Sequence, residues 1–230
     1  MIKRIAVAIA LTFAPAAFAQ TYIVPDGDCG AITLHATRGS DFPNLGETIG
    51  ADRVKDAYVY LPKQRLAAKP AVGPRSLDFN ANVGPDDAVV MAAVDFTPVV
   101  DGNETRTEHA KAFVYCGARA PAADWQLSTG LGLEIYPQWN GSIVHLRPGD
   151  LMEFIAVDKA THKLLRDVPM ELYRAGVGRV AGGVRAQNGG MKFPYQEPGR
   201  YMVTMTYRRP DPQQPEHWLV DTSTLTFEIK

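Results

Sequence analysis

The chain holds little of what marks most catalytic and nucleic-acid-binding proteins. In 230 residues there are two cysteines, three tryptophans and five histidines, and 24 basic side chains stand against 25 acidic ones. Neither cysteine has a CxxC partner, which argues against a thiolate metal site or a redox motif. Basic residues such as Arg53, Lys55, Lys63, Arg65, Arg208 and Arg209 are scattered, with no aromatic-interleaved basic stripe, so nothing draws this chain to nucleic acid. There is no G-x-S-x-G elbow and no P-loop, and Gly130-x-Gly132 lacks the third glycine of a dinucleotide fingerprint. His35, His109, His145, His162 and His217 fall singly, without HxH, HxxxH or HExxH spacing, so no local chelate is encoded. No catalytic residue can be nominated, and the expectation is a protein that is not an enzyme.

Long apolar runs are also missing, with one exception. Residues 1–19 open with Lys3 and Arg4, continue through IAVAIALTFAPAA and close on Ala17-Phe18-Ala19, the small-x-small pattern of a signal peptidase site. The run is short for a bilayer span and contains Pro15, so it reads as an export signal cleaved after Ala19. The mature chain is expected to be periplasmic, without a transmembrane segment. Taking Lys3 and Arg4 from 24 basic residues leaves 22 against 25 acidic ones, a net charge of −3. In an oxidising compartment Cys29 and Cys116 read as one disulfide, closing a loop whose chain entropy is worth roughly 4 to 5 kcal/mol. A metal-thiolate or redox role, or two free thiols, are the alternatives.

What is present is alternation. TYIV, AITLHAT, VKDAYVYLP, SLDFNANV, DAVVMAAVDFTPVV and HAKAFVYC fill the first half. LGLEIYP, DLMEFIAVD, VPMELYRA, GGMKFPYQEPGRYMVTMTYRR and HWLVDTSTLTFEIK fill the second. Pro-, Gly- and Asp-rich turns separate them, and no segment keeps a 3.6-residue period for long. Even the best helical candidate, 44–55, is short and holds Gly46 and Gly50. The fold class is therefore all-β, with two β-sandwich domains of immunoglobulin or prealbumin type at 20–117 and 131–230. The Ala-, Pro- and Gly-rich stretch 118–130 is the linker.

Alternation also assigns faces. Ile32 and Leu34 share one face of their strand, with Thr33 and His35 opposite, while Ala110, Ala112, Val114 and Cys116 oppose His109 and Lys111. His35 and His109 are thus expected on polar, solvated faces. Met202 and Met205 point to opposite faces of one strand, which favours core packing over a soft metal site with Met170 and Met191. Trp125, Trp139 and Trp218, with Tyr136 and Tyr207, read as buried anchors or as an aromatic platform for a sugar. Carboxylates such as Asp86, Asp87, Glu134 and Glu153 are numerous, and no spacing selects a pair.

The export signal, the EHAKAFV segment, then GLEIYP, LRPGDLMEF, PMELYRA, GGMKFPYQEPGRYMVTM and the closing W…TLTFEI together resemble the DUF4198 family. These are exported β-rich proteins associated with the name "nickel uptake substrate-specific transmembrane region", some of them linked to nickel or cobalt importers. The resemblance implies a non-enzymatic accessory protein assisting transition-metal uptake, with nickel, cobalt or copper as the ion and an importer or another envelope protein as partner. Several members begin the mature chain with a His in a His-x-x-Trp segment. Here Gln20-Thr21-Tyr22-Ile23 stands in that place and offers no imidazole. The implied ligand is then His109, which lies in the matching EHAKAF segment, followed by Glu108 and His35. Glu108 and His109 are neighbours on one strand and reach a common ion only across a bulge. The alternative function is an envelope module that binds a protein or glycan and holds no metal.

Overall fold

Strand-length alternating segments can bury one face each only by stacking sheets, and the described residues do so with one short 3-10 turn as their helical content. The computed structural model describes residues 19–27, 30–61, 64–82, 89–115, 129–138, 146–166, 168–180, 184–185, 188–195 and 197–229. Cys29 and Cys116, Trp125, Trp139, His145, the leader and most of the 118–130 stretch lie outside these residues. In chain order the strands are β1 (Gln20–Asp26), β2 (Ala31–Gly39), β3 (Val54–Leu61), β4 (Gln64–Ala67), β5 (Ala71–Val72), β6 (Leu77–Asn82), β7 (Val89–Phe96), β8 (Val99–Asp101) and β9 (Glu104–Tyr115). The second half adds β10 (Leu133–Pro137), β11 (Leu151–Asp158), β12 (Lys163–Leu165), β13 (Met170–Arg174), β14 (Gly178–Val180), β15 (Val184–Arg185), β16 (Met191–Pro194), β17 (Gly199–Pro210) and β18 (Trp218–Ile229). The helical candidate at 44–55 contains one 3-10 turn, Ala51–Arg53, before β3 begins. Among the described residues no helix is long and apolar enough to cross a membrane.

The strands form three sheets. A nine-stranded sheet runs β14-β13-β17-β18-β9-β7-β3-β4, with β8 on β9; β1-β2-β6-β5 make a second; β10-β11-β16-β15, with β12 on β11, make a third. Side-chain direction places the two small sheets on opposite faces of the large one. Ala110 and Ala112 of β9 join Ile23, Leu34, Phe79, Val59 and Val94 in one core, whereas Phe113 joins Ile135, Phe154, Phe193, Val203 and Phe227 in another. Met202 likewise packs on Tyr22 and Phe42, while Met205 enters the second core. Both methionines thus pack in cores, as their parity implied. The four-stranded sheet therefore covers one face of the large sheet and the five-stranded sheet the other.

The two halves meet inside the large sheet. β18 pairs in parallel with β9 from Trp218↔Glu104 to Thr226↔Ala112, and Thr224 Oγ1 donates to the Thr21 carbonyl at 2.7 Å. Each half has a core of its own, but both contribute strands to one ladder. The proline-rich loop before the last strand joins β17 to β18, closing a long hairpin in which Pro210 faces Trp218. Trp218 is half-buried, with the Arg208 guanidinium 3.6 Å above its ring, so it caps that hairpin at the surface and is not the buried anchor its place in the closing strand suggested.

Candidate functional site

β9 carries the densest polar chemistry. His109 and Lys111 oppose Ala110 and Ala112, as alternation requires, but their face is not solvated. Each is at most 3 % exposed, because β10 and the five-stranded sheet cover the face that a two-layer sandwich would leave open to water. Gly132, at the entry to β10, makes the closest approach: a Cβ there would stand 2.8 Å from His109 Cε1. Glycine at 132 is therefore a packing requirement, not part of a phosphate loop.

Two linked clusters fill this layer. In the first, His109 Nδ1 bonds the carboxylate of Asp95, its direct partner on β7, and Nε2 lies 3.7 Å from Asp221 of β18. That second separation is too long for a hydrogen bond, so Nε2 has no partner at bonding distance among the described residues. Asp221 in turn accepts from Arg209 on β17, which carries the chain of charges to the surface. Burial disfavours the charged imidazole, but the carboxylates of Asp221 and Asp95 outweigh it and raise the His109 pKa to about 9. Burial also raises Asp221, and His109 and Arg209 more than reverse that, leaving it below the usual carboxylate range.

The second cluster centres on Glu134 of β10, which is fully buried. Its carboxylate accepts from Tyr136 OH at 2.6 Å, from the Thr129 N–H at 2.7 Å and from the Thr129 hydroxyl, with Lys111 Nζ at 3.4 Å and Lys159 Nζ at 3.3 Å. Burial pushes Glu134 up, but Lys111 and these donors hold it down at about 2. Burial pulls Lys111 down to about 8 in spite of Glu134. The Lys111 ammonium also sits 4.6 Å from the Tyr136 ring centre and 5.2 Å from that of Phe113. Tyr60 of β3 bonds the Thr129 carbonyl, tying this cluster to the first half.

The residues expected to gather round a metal lie apart. Glu108 points to the other face of β9 and pairs with Arg38 of β2 at 3.7 Å. His35 is on the outer face of its sheet, with Nδ1 2.7 Å from Asp78 Oδ1 and 3.3 Å from Ser76 Oγ, and with Nε2 3.9 Å from Asp26 Oδ2. Among the described residues no group of three or more His, Cys, Asp or Glu side chains is poised to hold an ion. Protonated His109, flanked by two carboxylates, is a hydrogen-bond donor rather than a ligand. Sequence reasoning missed Asp95 and Asp221, whose signal was a charged residue inside an otherwise apolar strand, as in VMAAVDF and WLVDTSTL. No protein-family model matches the chain, and no curated protein matches it.

Proposed function

We propose that the protein is an exported binding module of the cell envelope that acts without catalysis of its own and engages a protein or glycan partner through its sheet surfaces. The observation that carries this reading is the state of the polar layer. Its charges are engaged with one another beneath β10, which suits a device that holds two halves together better than a centre that receives substrate. The exposed chemistry lies at strand edges instead, on β4, β8 and β14. The test is cross-linking of the tagged full chain in intact cells, followed by identification of what it carries out of the envelope. Recovery of one partner above a tag-only control supports the reading, and repeated recovery of none counts against it.

A second reading keeps the DUF4198 resemblance in full and makes the protein an accessory to nickel or cobalt uptake, docking on an importer. Its specific support is the position of His109, in the segment that carries the resemblance, between the carboxylates of Asp95 and Asp221, where a metal ion would have to displace the Nε2 proton. Elemental mass spectrometry of untagged protein, with titration of His109→Ala by nickel, cobalt and copper, tests it. Near-stoichiometric metal that the substitution removes supports it, and an empty protein that takes up none of the three ends it.

A further inference from the structure

The edge of the nine-stranded sheet at β4 has an open side. Among the described residues β4 pairs with β3 alone, and all four of its residues are exposed. The register fixes its two faces. Leu66 sits opposite Val59 and Gln64 opposite Leu61, on the face of the first core, while Arg65 sits opposite Tyr60 and Ala67 opposite Tyr58. Across the corner, β6 is paired with β5 only at Leu77 and Asp78, so among the described residues its edge from Phe79 to Asn82 is free on that side. Between the two edges lies a cleft of about 210 Å³ floored by Val59, Leu61, Leu66 and Ala81, with Asn80 and Asn82 at its rim. Leu66 remains 43 % exposed there.

Basic side chains lie nearest this edge, with one carboxylate on the same face, that of Asp56, which accepts from Tyr58 OH at 3.4 Å. Arg65 lies 3.4 Å above the Tyr58 ring centre, and Lys69 follows β4. Neither forms an ion pair among the described residues. A strand edge unpaired among the described residues, an apolar cleft on one face and an exposed guanidinium stacked on Tyr58 on the other define a single kind of occupant.

We propose that β4 is a strand-addition site for an extended peptide in which aliphatic and acidic residues alternate. The peptide pairs with β4 as a tenth strand. Its aliphatic side chains enter the cleft beside Leu66, and its carboxylates stand on the opposite face beside Arg65. This deepens the binding-module reading and rests on it, since it names the partner chemistry of one surface.

The probes are three synthetic octapeptides: alternating Val and Glu, alternating Val and Lys, and the Val/Glu composition in blocks. Each is titrated by fluorescence anisotropy against the full chain and its Arg65→Glu variant. The Val/Glu alternating peptide is expected to bind about tenfold more tightly than either control, and Arg65→Glu to reverse the preference between Glu and Lys peptides. A Leu66→Asp variant is expected to abolish binding of both alternating peptides. Circular dichroism and the melting temperature confirm that the exposed substitutions leave the fold intact. No binding by any peptide, or equal binding by alternating and block peptides, overturns the site. The same variants in the envelope cross-linking experiment separate the two readings. A partner retained by Arg65→Glu and Leu66→Asp places the binding surface elsewhere and overturns this site alone, whereas no partner for any chain overturns the module reading itself.

Discussion

At neutral pH the His109 imidazole holds a proton that a solvated histidine near pKa 6.5 would largely have lost, and it does so within a few per cent of complete burial. The flanking carboxylates are the cause, and linkage gives the sign. The folded pKa lies above the unfolded one, so the stabilisation is complete below about pH 6.5 and disappears as pH rises through about 9. The wild type is therefore expected to lose about 3 kcal/mol relative to His109→Gln over that window, read from urea midpoints at successive pH values. Lys111 has the opposite sign. Its folded pKa of about 8 lies below the ordinary 10.5, so its contribution rises with pH across that interval in wild type and His109→Gln alike and cancels in their difference. Glu134, held at about 2, contributes above the ordinary 4.5 and is lost only in strong acid. Removing Lys111 leaves the buried Glu134 carboxylate with Lys159, at 3.3 Å, as its remaining cation among the described residues. Lys111→Met is therefore expected to cost less than the full penalty of an orphaned buried charge, about 1 to 3 kcal/mol, and Lys111→Met with Glu134→Gln to recover most of it, measured by chemical denaturation. No recovery in the double variant would mean that the pair is not an independent unit.

Among elements, β9 shows how far alternation reads. The parity of Ala110, Ala112, His109 and Lys111 was legible, since the side-chain period of a strand is two. The expectation that His109 faces solvent was wrong, because a polar face predicts water only where no third layer arrives. β10 supplies that layer, and its five residues are buried throughout. The local signal was weak: Leu131-Gly132-Leu133-Glu134-Ile135-Tyr136 alternates like any half-exposed strand. Only Gly132 hints at a close approach, and glycine has many uses. Gly132→Ala tests the contact. Its added methyl meets the His109 ring, so it is expected to destabilise by about 1 to 3 kcal/mol and to shift the imidazole signals in NMR. Unchanged His109 resonances would show that β10 does not rest on the ring.

For the molecule as a whole, strand content and most strand positions could be read from turns and alternation, but the arrangement of the sheets could not. Two sandwiches in series and two sandwiches sharing a sheet have the same local pattern. What distinguishes them here is β18 lying parallel to β9, a non-local pairing for which no turn or motif gives a sign. The shared ladder predicts how the chain behaves when cut. With the backbone opened between residues 117 and 130, the second half loses the nine residue pairs of that ladder and Phe113 from its core, and the first half bares the polar layer of β9. Neither fragment is then expected to unfold cooperatively alone, while the two co-expressed fragments should associate and restore one melting transition. Two autonomous domains, each with its own sharp transition, would contradict this, because independent folding requires that neither core depend on the other half's strand. The same coupling explains where the charges are. Asp95, His109 and Lys111 come from one half and Glu134, Lys159 and Asp221 from the other, so every ion pair of the buried layer that joins these groups across the halves forms only when the halves are docked in one register. The polar layer then costs desolvation in return for a single alignment of β9 with β18 and β10, and the fragments' affinity should fall at least about tenfold when the first-half fragment carries Lys111→Met.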